Sequence, residues 1–363
     1  MSATSTTRPA GPGLILSPGP AGHWDSERVS CPRVLREPDG RWKMWYYGRD
    51  PSFDRRITLP TGRCGLATSD DGVRWERATG PLTMGSVFEP HFDAARFDSS
   101  HVGISDIQQR DGLYWMWYLG GDRTPVKLGT LELVGFPALP GCAVSRDGLH
   151  WLRVEGQYRG ALLPPGRPGE FDAFMVGWPQ VIRWDDGSWR MYYHSIDAKQ
   201  VYTLGLATSD DGLRWTKRGP LMGAGPKGRF DDRGIATRHI VKLGGRWTMF
   251  YEGCKDIGKG FTVDRQIGVA VSDDGLAWTR LDGPAPDGAT LAGSPHDSPL
   301  WDQRLGCPWV VPMPGGGLRM YYIGSHEREG GSELDGVQQI GLASSDGDPL
   351  RWVRHAVATS QAP

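Results

Sequence analysis

The residues able to do chemistry in this 363-residue chain sit in short segments that break a regular pattern. Glu27 and Arg28, in WDSERVSCP, place a carboxylate that can donate or accept a proton beside a guanidinium that steers anions. His101 and Asp106 share HVGISDI, and a His near a carboxylate can carry protons because its charge changes near neutral pH. His194 is read as replacing a Gly that closes the same segment elsewhere. Asp197 follows it, and Asp50, Asp122 and Asp256 hold similar places. Arg233, Arg238 and His239 lie close together in sequence, with Arg304 further on. Converging arginines suit an anionic substrate, or the phosphate of a phosphorolytic reaction, because Arg grips such groups in a rigid fork. His326 and Glu327 follow in GSHERE. Cys31 and Cys307 occupy matching Cys-Pro positions, and Trp178 holds the equivalent place in GWP, where an indole offers an apolar wall to a sugar face or flat ring.

Each has a plainer alternative. Glu27 suits a rim ion pair, His101 and Asp106 a buried hydrogen-bonded pair, and the arginines salt bridges. Buried cysteines often pack as small inert side chains. No phosphate-binding loop, dinucleotide fingerprint or zinc spacing is present, so no cofactor is assigned. A central divalent cation held by distant ligands would leave no spacing signal and stays open as an alternative.

Three motifs recur five times in the same order and supply the scaffold. The first is an aromatic-Asp followed by a short apolar run, starting at Trp24, Phe97, Phe171, Phe230 and Trp301. The second is an aromatic strand opening at Met44, Met116, Met191, Met249 and Met320. The third is a strand–hairpin–strand of the GLATSDDGVRW type, ending at Trp75, Trp151, Trp215, Trp278 and Trp352. Each unit thus holds four strands, A to D, with Asp-Gly or Gly-Gly turns between A and B and between C and D. Five such sheets predict an all-β, five-bladed β-propeller of antiparallel blades. It spans 11–363, with blades beginning near 24, 97, 171, 230 and 301 and a disordered tail over 1–10. GPGLILSPG, from Gly11, matches the segments that follow strand D elsewhere and is expected to close the ring beside blade five.

Hairpin parity puts the long B–C and D–A connections at one axial end, where the pocket is expected. The longest runs from Gly120 to Gly141, and long loops on a rigid scaffold often carry function. The repeated Asp25, Asp98, Asp172, Asp231 and Asp302 are assigned to blade-to-blade hydrogen bonds. The Asp of each SDDG hairpin is read as a turn residue bonding its own backbone.

Composition agrees. The 52 glycines and 28 prolines are about a fifth of the chain, short of the low-complexity range, and 16 Trp, 11 Tyr and 10 Phe can build a large core. Net charge is −1, which gives no field for holding nucleic acid. No apolar run is long enough to span a membrane. The N-terminal residues lack the pattern of a signal peptide, and five cysteines are too few and odd for a disulfide scaffold. The expected location is the cytoplasm, and the expected partner a small molecule or oligosaccharide.

The succession of aromatic-Asp, apolar residue, Pro-x-Val, Asp-Gly, aromatic strand and ATSDDGxxW resembles the five-bladed propeller glycoside hydrolases. These are families 43, 32, 68 and 130, and the resemblance covers about Gly11 to Arg354. It implies a glycoside hydrolase or phosphorylase with carboxylates at the start of strand A in the first three blades. Cys31 occupies the first of those places and Gly177 the third, while Asp106 is the only acid near the second. The registered acid set is therefore absent. Catalysis of a glycosidic reaction would pass to Glu27 and Asp106, with His101 or His194 as proton carrier. Arg28, Cys31, Trp178, Arg233, Arg238, Arg304 and His326 are the expected substrate contacts. Two alternatives remain: a divergent lyase, isomerase or cyclase on a small metabolite, and a non-catalytic sugar-binding propeller.

Overall fold

The computed structural model describes residues 10–51, 61–128, 131–135, 137–259, 262–326 and 337–356. The expected tail therefore lies, except for Ala10, outside the described residues, as does Glu327.

Short strands with tight turns make antiparallel meanders that follow one another along the chain. After β1 (Leu14–Leu16) the first comprises β2 (Arg28–Arg36), β3 (Trp42–Arg49), β4 (Arg63–Ser69) and β5 (Glu76–Arg77). The second comprises β6 (His101–Arg110), β7 (Leu113–Gly121), an inserted hairpin of β8 (Val126–Leu128) and β9 (Leu131–Leu133), then β10 (Leu139–Ser145) and β11 (Leu152–Val154). The third holds β12 (Gly177–Arg183), β13 (Trp189–Ile196), β14 (Tyr202–Ser209) and β15 (Thr216–Met222). The fourth holds β16 (Gly234–Leu243), β17 (Arg246–Lys259), β18 (Thr262–Ser272) and β19 (Thr279–Leu281). The last holds β20 (Arg304–Pro312), β21 (Leu318–His326), β22 (Val337–Ser345) and β23 (Val353–Arg354). The only helical turns among the described residues are two short 3₁₀ turns, and no helix there is long and apolar enough to cross a membrane.

The repeated sequence explains the repeated packing. The aromatic of each aromatic-Asp lies over glycines of the second and third strands. A Cβ on Gly48 or Gly65 would come within 2.5 and 2.0 Å of Trp24, and Phe230 and Trp301 sit on Gly253 and Gly268 and on Gly324 and Gly341 in the same way. The following Asp is fully enclosed. Tyr46 and Arg77 donate to Asp25 at 2.9 and 2.8 Å, Tyr118 and Arg153 to Asp98 at 2.9 and 2.7 Å, and Tyr251 and Arg280 to Asp231 at 2.9 and 2.6 Å. Tyr193 and Lys217 treat Asp172 alike. This corrects the expectation of blade-to-blade bonds: in the first four meanders the Asp ties the second and fourth strands of its own meander, and Asp302 is held by fourth-strand Arg354 and by Ser294. The arginine reaches further, since Arg153, Arg280 and Arg354 also donate to the carbonyls of Glu89, Gly223 and Ala292 in the preceding connection. The hairpin Asp residues bond their own turns, as Asp71 does from Val73 and Arg74.

β1 pairs with β22, beside β23. Leu16 faces Ile340, the residue before the third-strand Gly. Phe88, Met222 and Leu291 make the same contact with Cys64, Leu204 and Ile267. The N-terminal segment thus supplies the last meander with a piece that every other takes from downstream. One departure is a single parallel pairing, Tyr202 with Gly234, which joins the third and fourth meanders into one sheet. Only Gly permits it, because a Cβ there would sit 1.8 Å from the Tyr202 carbonyl oxygen and φ is +109°.

Candidate functional site

The first strand of every meander carries an irregularity at one level. Register shifts fall between Ser30 and Arg33, Ile104 and Asp106, Gly177 and Gln180, Ile235 and Arg238, and Gly306 and Trp309. At three of these bulges a non-glycine residue before proline has positive φ: Cys31 (+49°), Trp178 (+47°) and Cys307 (+48°). Such backbone costs on the order of 1–3 kcal/mol each and collects at functional sites. Here it aims three side chains into one cluster. Cys31, Cys307, Tyr47 and Ile323 pack together with Trp178 against them, and the two Sγ atoms are 2.8 Å apart. The thiols are not equivalent. The bond with Cys307, helped by Arg33, Ser30 and Trp178, brings Cys31 down to about 7 against its burial, while burial and the neighbouring Cys31 push Cys307 well up.

One step along, the five strands contribute Arg33, Asp106, Gln180, His239 and Trp309, and each bonds the backbone of the next meander. Arg33 Nε donates to Ser105 O at 2.5 Å, and Val181 N donates to Asp106 Oδ2 at 3.0 Å. Gln180 spans both backbone groups of Ile240, at 2.9 and 2.8 Å. Val310 N donates to His239 Nδ1 at 3.0 Å, and Trp309 Nε1 donates to Val34 O at 2.8 Å. The order runs one to two, three, four, five and back to one. Asp106 is fully engaged here, taking Gln108 Nε2 and Ile107 N as well, and burial raises it to about 6. His239 stacks on Trp309 at 4.0 Å, and burial with Arg33 nearby lowers it to about 3. A cavity of about 360 Å³ lies beyond, toward the A–B turns, with Gln180, Arg183, Lys242 and Trp247 in its wall.

On the opposite side of this layer, second-strand residues face the cluster. The paired register puts Tyr47, Leu119, His194, Glu252 and Ile323 at equivalent positions, each opposite the residue before the third-strand Gly. This corrects the sequence alignment at His194: Ser195 replaces the Gly, and His194 aligns with Glu252. Trp178 stacks on His194 at 5.0 Å and 14°. Arg238 approaches His194 Nδ1 at 3.3 Å and donates to the carbonyls of Tyr192 and Trp178. Burial, with Arg238 and Arg265 nearby, holds His194 far below its ordinary value. Burial also lowers Arg238 to about 9. Glu252 is buried, ion-paired to Arg265 at 3.0 Å, and accepts bonds from Thr237 Oγ1 and Cys307 N.

The remaining expected residues spread outward. His101 is buried against Tyr47, at 5.3 Å between ring centroids. Arg28 is buried and Glu27 half-buried, its backbone N–H donating to Arg49 O. Arg233 is held by Gln200 at 2.6 Å and Asp256 at 3.8 Å, whereas Arg238 bonds Trp178 and approaches His194, and His239 bonds Val310, so the three do not converge. Arg304 lies 3.9 Å from Asp264, and His326 bonds the Leu300 carbonyl at 3.1 Å. Among the described residues, no group of three or more His, Cys, Asp or Glu is arranged to hold a metal ion. The residues missed in the sequence are Arg33, Gln180, Trp309, Glu252 and Arg265. Glu252 had a signal, since MFYEG carries an acid where the other copies have Tyr, Leu, His and Ile.

No protein-family model matches the chain. The uncharacterized protein Rv1502 of Mycobacterium tuberculosis H37Rv is 33% identical over 207 residues, covering 56% of this chain and 60% of that protein. The chain thus matches less than two thirds of that relative's length. Among solved structures, a glycoside hydrolase superposes with a TM-score of 0.64 at 18% identity, over 98% of this chain and 96% of the other. A thermostable family-43 glycoside hydrolase gives 0.62 at 14% identity, over 98% of both chains. A family-130 enzyme, from work on hydrolases of β-1,2-mannosidic linkages, gives 0.61 at 17%, over 94% and 96%. At these identities the likeness is one of fold: the chain has the all-β propeller fold of the glycoside hydrolases.

Proposed function

We propose that the chain forms a single five-bladed propeller over residues 11–363, with β1 closing the ring, and that it is a carbohydrate-active enzyme. It cleaves or transfers a glycosidic bond in the axial pocket on the side of the five-bond layer that carries Cys31, Trp178 and Glu252. The observation that carries this reading is the broken symmetry at one register position, where a buried His194 and a buried Glu252 occupy adjacent meanders beside Trp178. Glycosidic chemistry needs two carboxyl groups flanking the bond. We assign one of those roles to Glu252, beside Cys307, and the other to Glu27, at the entry to β2. Asp106 is already bound on three sides, and its part is to hold the second meander to the third. His194 is a neutral proton acceptor, and His101 carries protons near Tyr47. Trp178 offers the sugar face an apolar wall, while Arg28, Arg233, Arg304 and His326, set further out and in part paired within the protein, can meet only the outer part of an oligosaccharide. Five cysteines without disulfides support a place in the cytoplasm.

The test is an assay on aryl glycosides with and without phosphate. Glu252→Gln and Glu27→Gln should each lower the rate by about 10²–10⁴-fold with folding intact. Full activity in both variants overturns the assignment. A divergent lyase, isomerase or cyclase is the second reading, favoured by Cys31 and Gly177 standing where the resembled families place acids. Inactivity on every glycoside would move the assignment there.

A further inference from the structure

The geometry points to Cys31 and Cys307 as a peroxide-sensitive dithiol that closes into a disulfide between the first and last meanders. Their Sγ atoms already touch at 2.8 Å although 276 residues separate them in sequence. Both stand at the same bulge position before proline, with nearly identical positive φ, so the backbone presents the two Cβ atoms as a pair. Their surroundings differ in a way that suits stepwise oxidation. Ser30 Oγ donates to Cys31 Sγ at 3.5 Å, and Arg33 sits close by, while Cys307 lies toward Glu252. Cys31 is therefore the thiolate former and Cys307 the resolving thiol. The pair is 5% and 4% exposed, against 0–1% for Cys64, Cys142 and Cys254, and burial raises Cys64 to about 12. Hydrogen peroxide is small enough for such a site.

The chemistry balances. The Cys31 thiolate attacks one peroxide oxygen and breaks the O–O bond, giving a sulfenic acid and hydroxide. Cys307 sulfur then attacks the Cys31 sulfur, its proton leaves with the departing hydroxyl as water, and the S–S bond forms. Two thiols and one peroxide give one disulfide and two waters, with two electrons passing from sulfur to oxygen. The crosslink would join the first strand of the first meander to the first strand of the last.

Intact protein treated with hydrogen peroxide should fall from five titratable thiols to three when unfolded in denaturant, and return to five with dithiothreitol. Peptide mapping should recover Cys31 joined to Cys307. The oxidised chain should run faster on a non-reducing gel, because the closed loop limits its expansion, and melt at a higher temperature. Cys307→Ser should leave Cys31 as a sulfenic acid that dimedone traps. Five unchanged thiols, a crosslink between other cysteines, or over-oxidised Cys31 without a crosslink would each overturn the proposal. Mapping of the wild-type chain decides the matter even where a substituted chain fails to fold.

Discussion

Trp309 Nε1 donates to the Val34 carbonyl at 2.8 Å, and this one bond connects the first strand of the last meander to the first strand of the first. It belongs to a cycle in which no two members share a residue type. Trp309→Phe keeps the ring but removes the donor and orphans a buried carbonyl. The loss should be about 1–3 kcal/mol, read as a lower urea midpoint with unchanged slope. An unchanged midpoint would show that the cycle adds nothing at this joint.

Truncation of residues 1–22 should lower the melting temperature markedly. It strips β1 from the edge of β22 and removes the Ser17 carbonyl that Arg77 contacts while holding Asp25. Identical melting curves for the truncated and complete chains would refute a role for the segment in stability.

Asp231→Ala should cost on the order of 3–5 kcal/mol, because it leaves Arg280 and the Tyr251 hydroxyl without their shared partner inside the protein. Asp211→Ala, at an exposed hairpin of the third meander, should cost far less, since water can replace its bonds to Leu213 and Arg214. Chemical denaturation of the two variants side by side checks the ranking.

His239 gives a signed pH dependence. Its pKa falls from 6.5 unfolded to about 3 folded, so between these values the unfolded chain binds more protons. Stability is therefore lost as pH drops from about 6.5 towards 3, on the order of 3 kcal/mol by pH 4. Asp106, raised from 3.8 to about 6, acts in the opposite sense between those values, its stabilisation fading as pH rises through them. His239→Asn retains an acceptor for Val310 N without a titrating ring and should flatten the acid limb. A limb as steep as wild type would remove His239 from the account.

Trp178→Ala should raise KM and shift the acid side of the activity profile upward. Opening the site to water weakens the burial that keeps His194 neutral, so its pKa moves back toward 6.5 and the ring charges over a range where it was uncharged. A variant with altered KM but an unmoved acid limb would separate His194 from the reaction.

The meander order was legible because structural needs repeat with residue type. The glycines under Trp24 and Phe230, and the Tyr and Arg around Asp25, recur in most of the meanders, with Ser195 and Lys217 as the third meander's substitutes. The five-bond cycle was not legible, because Arg, Asp, Gln, His and Trp meet one geometric demand with different chemistry, across strands far apart in sequence. Glu252 was missed through a one-residue slip: aligning His194 on the neighbouring Gly hid the position the two share, which the motif column already displays and strand pairing fixes. The separation of Arg233 from Arg238 follows from the bulge between Ile235 and Arg238, which turns Arg238 inward while Arg233 stays with Gln200.

The pairing of β1 with β22 also sets an order of events. Leu14 meets Gly341, so this pairing cannot form until the more than three hundred residues between them have been made. At ordinary synthesis rates of about 5–20 residues per second, that delay is on the order of tens of seconds. Throughout it, the groups that β1 will share with β22 have no partner, while each complete meander can already form its own local contacts. Pairing of β1 with β22 is thus among the most non-local contacts of the fold, the kind whose chain-closure cost slows folding. Proteases or other chains would have their longest opportunity at β1, and a pulse of protease during refolding should cut there last among the sites that become protected.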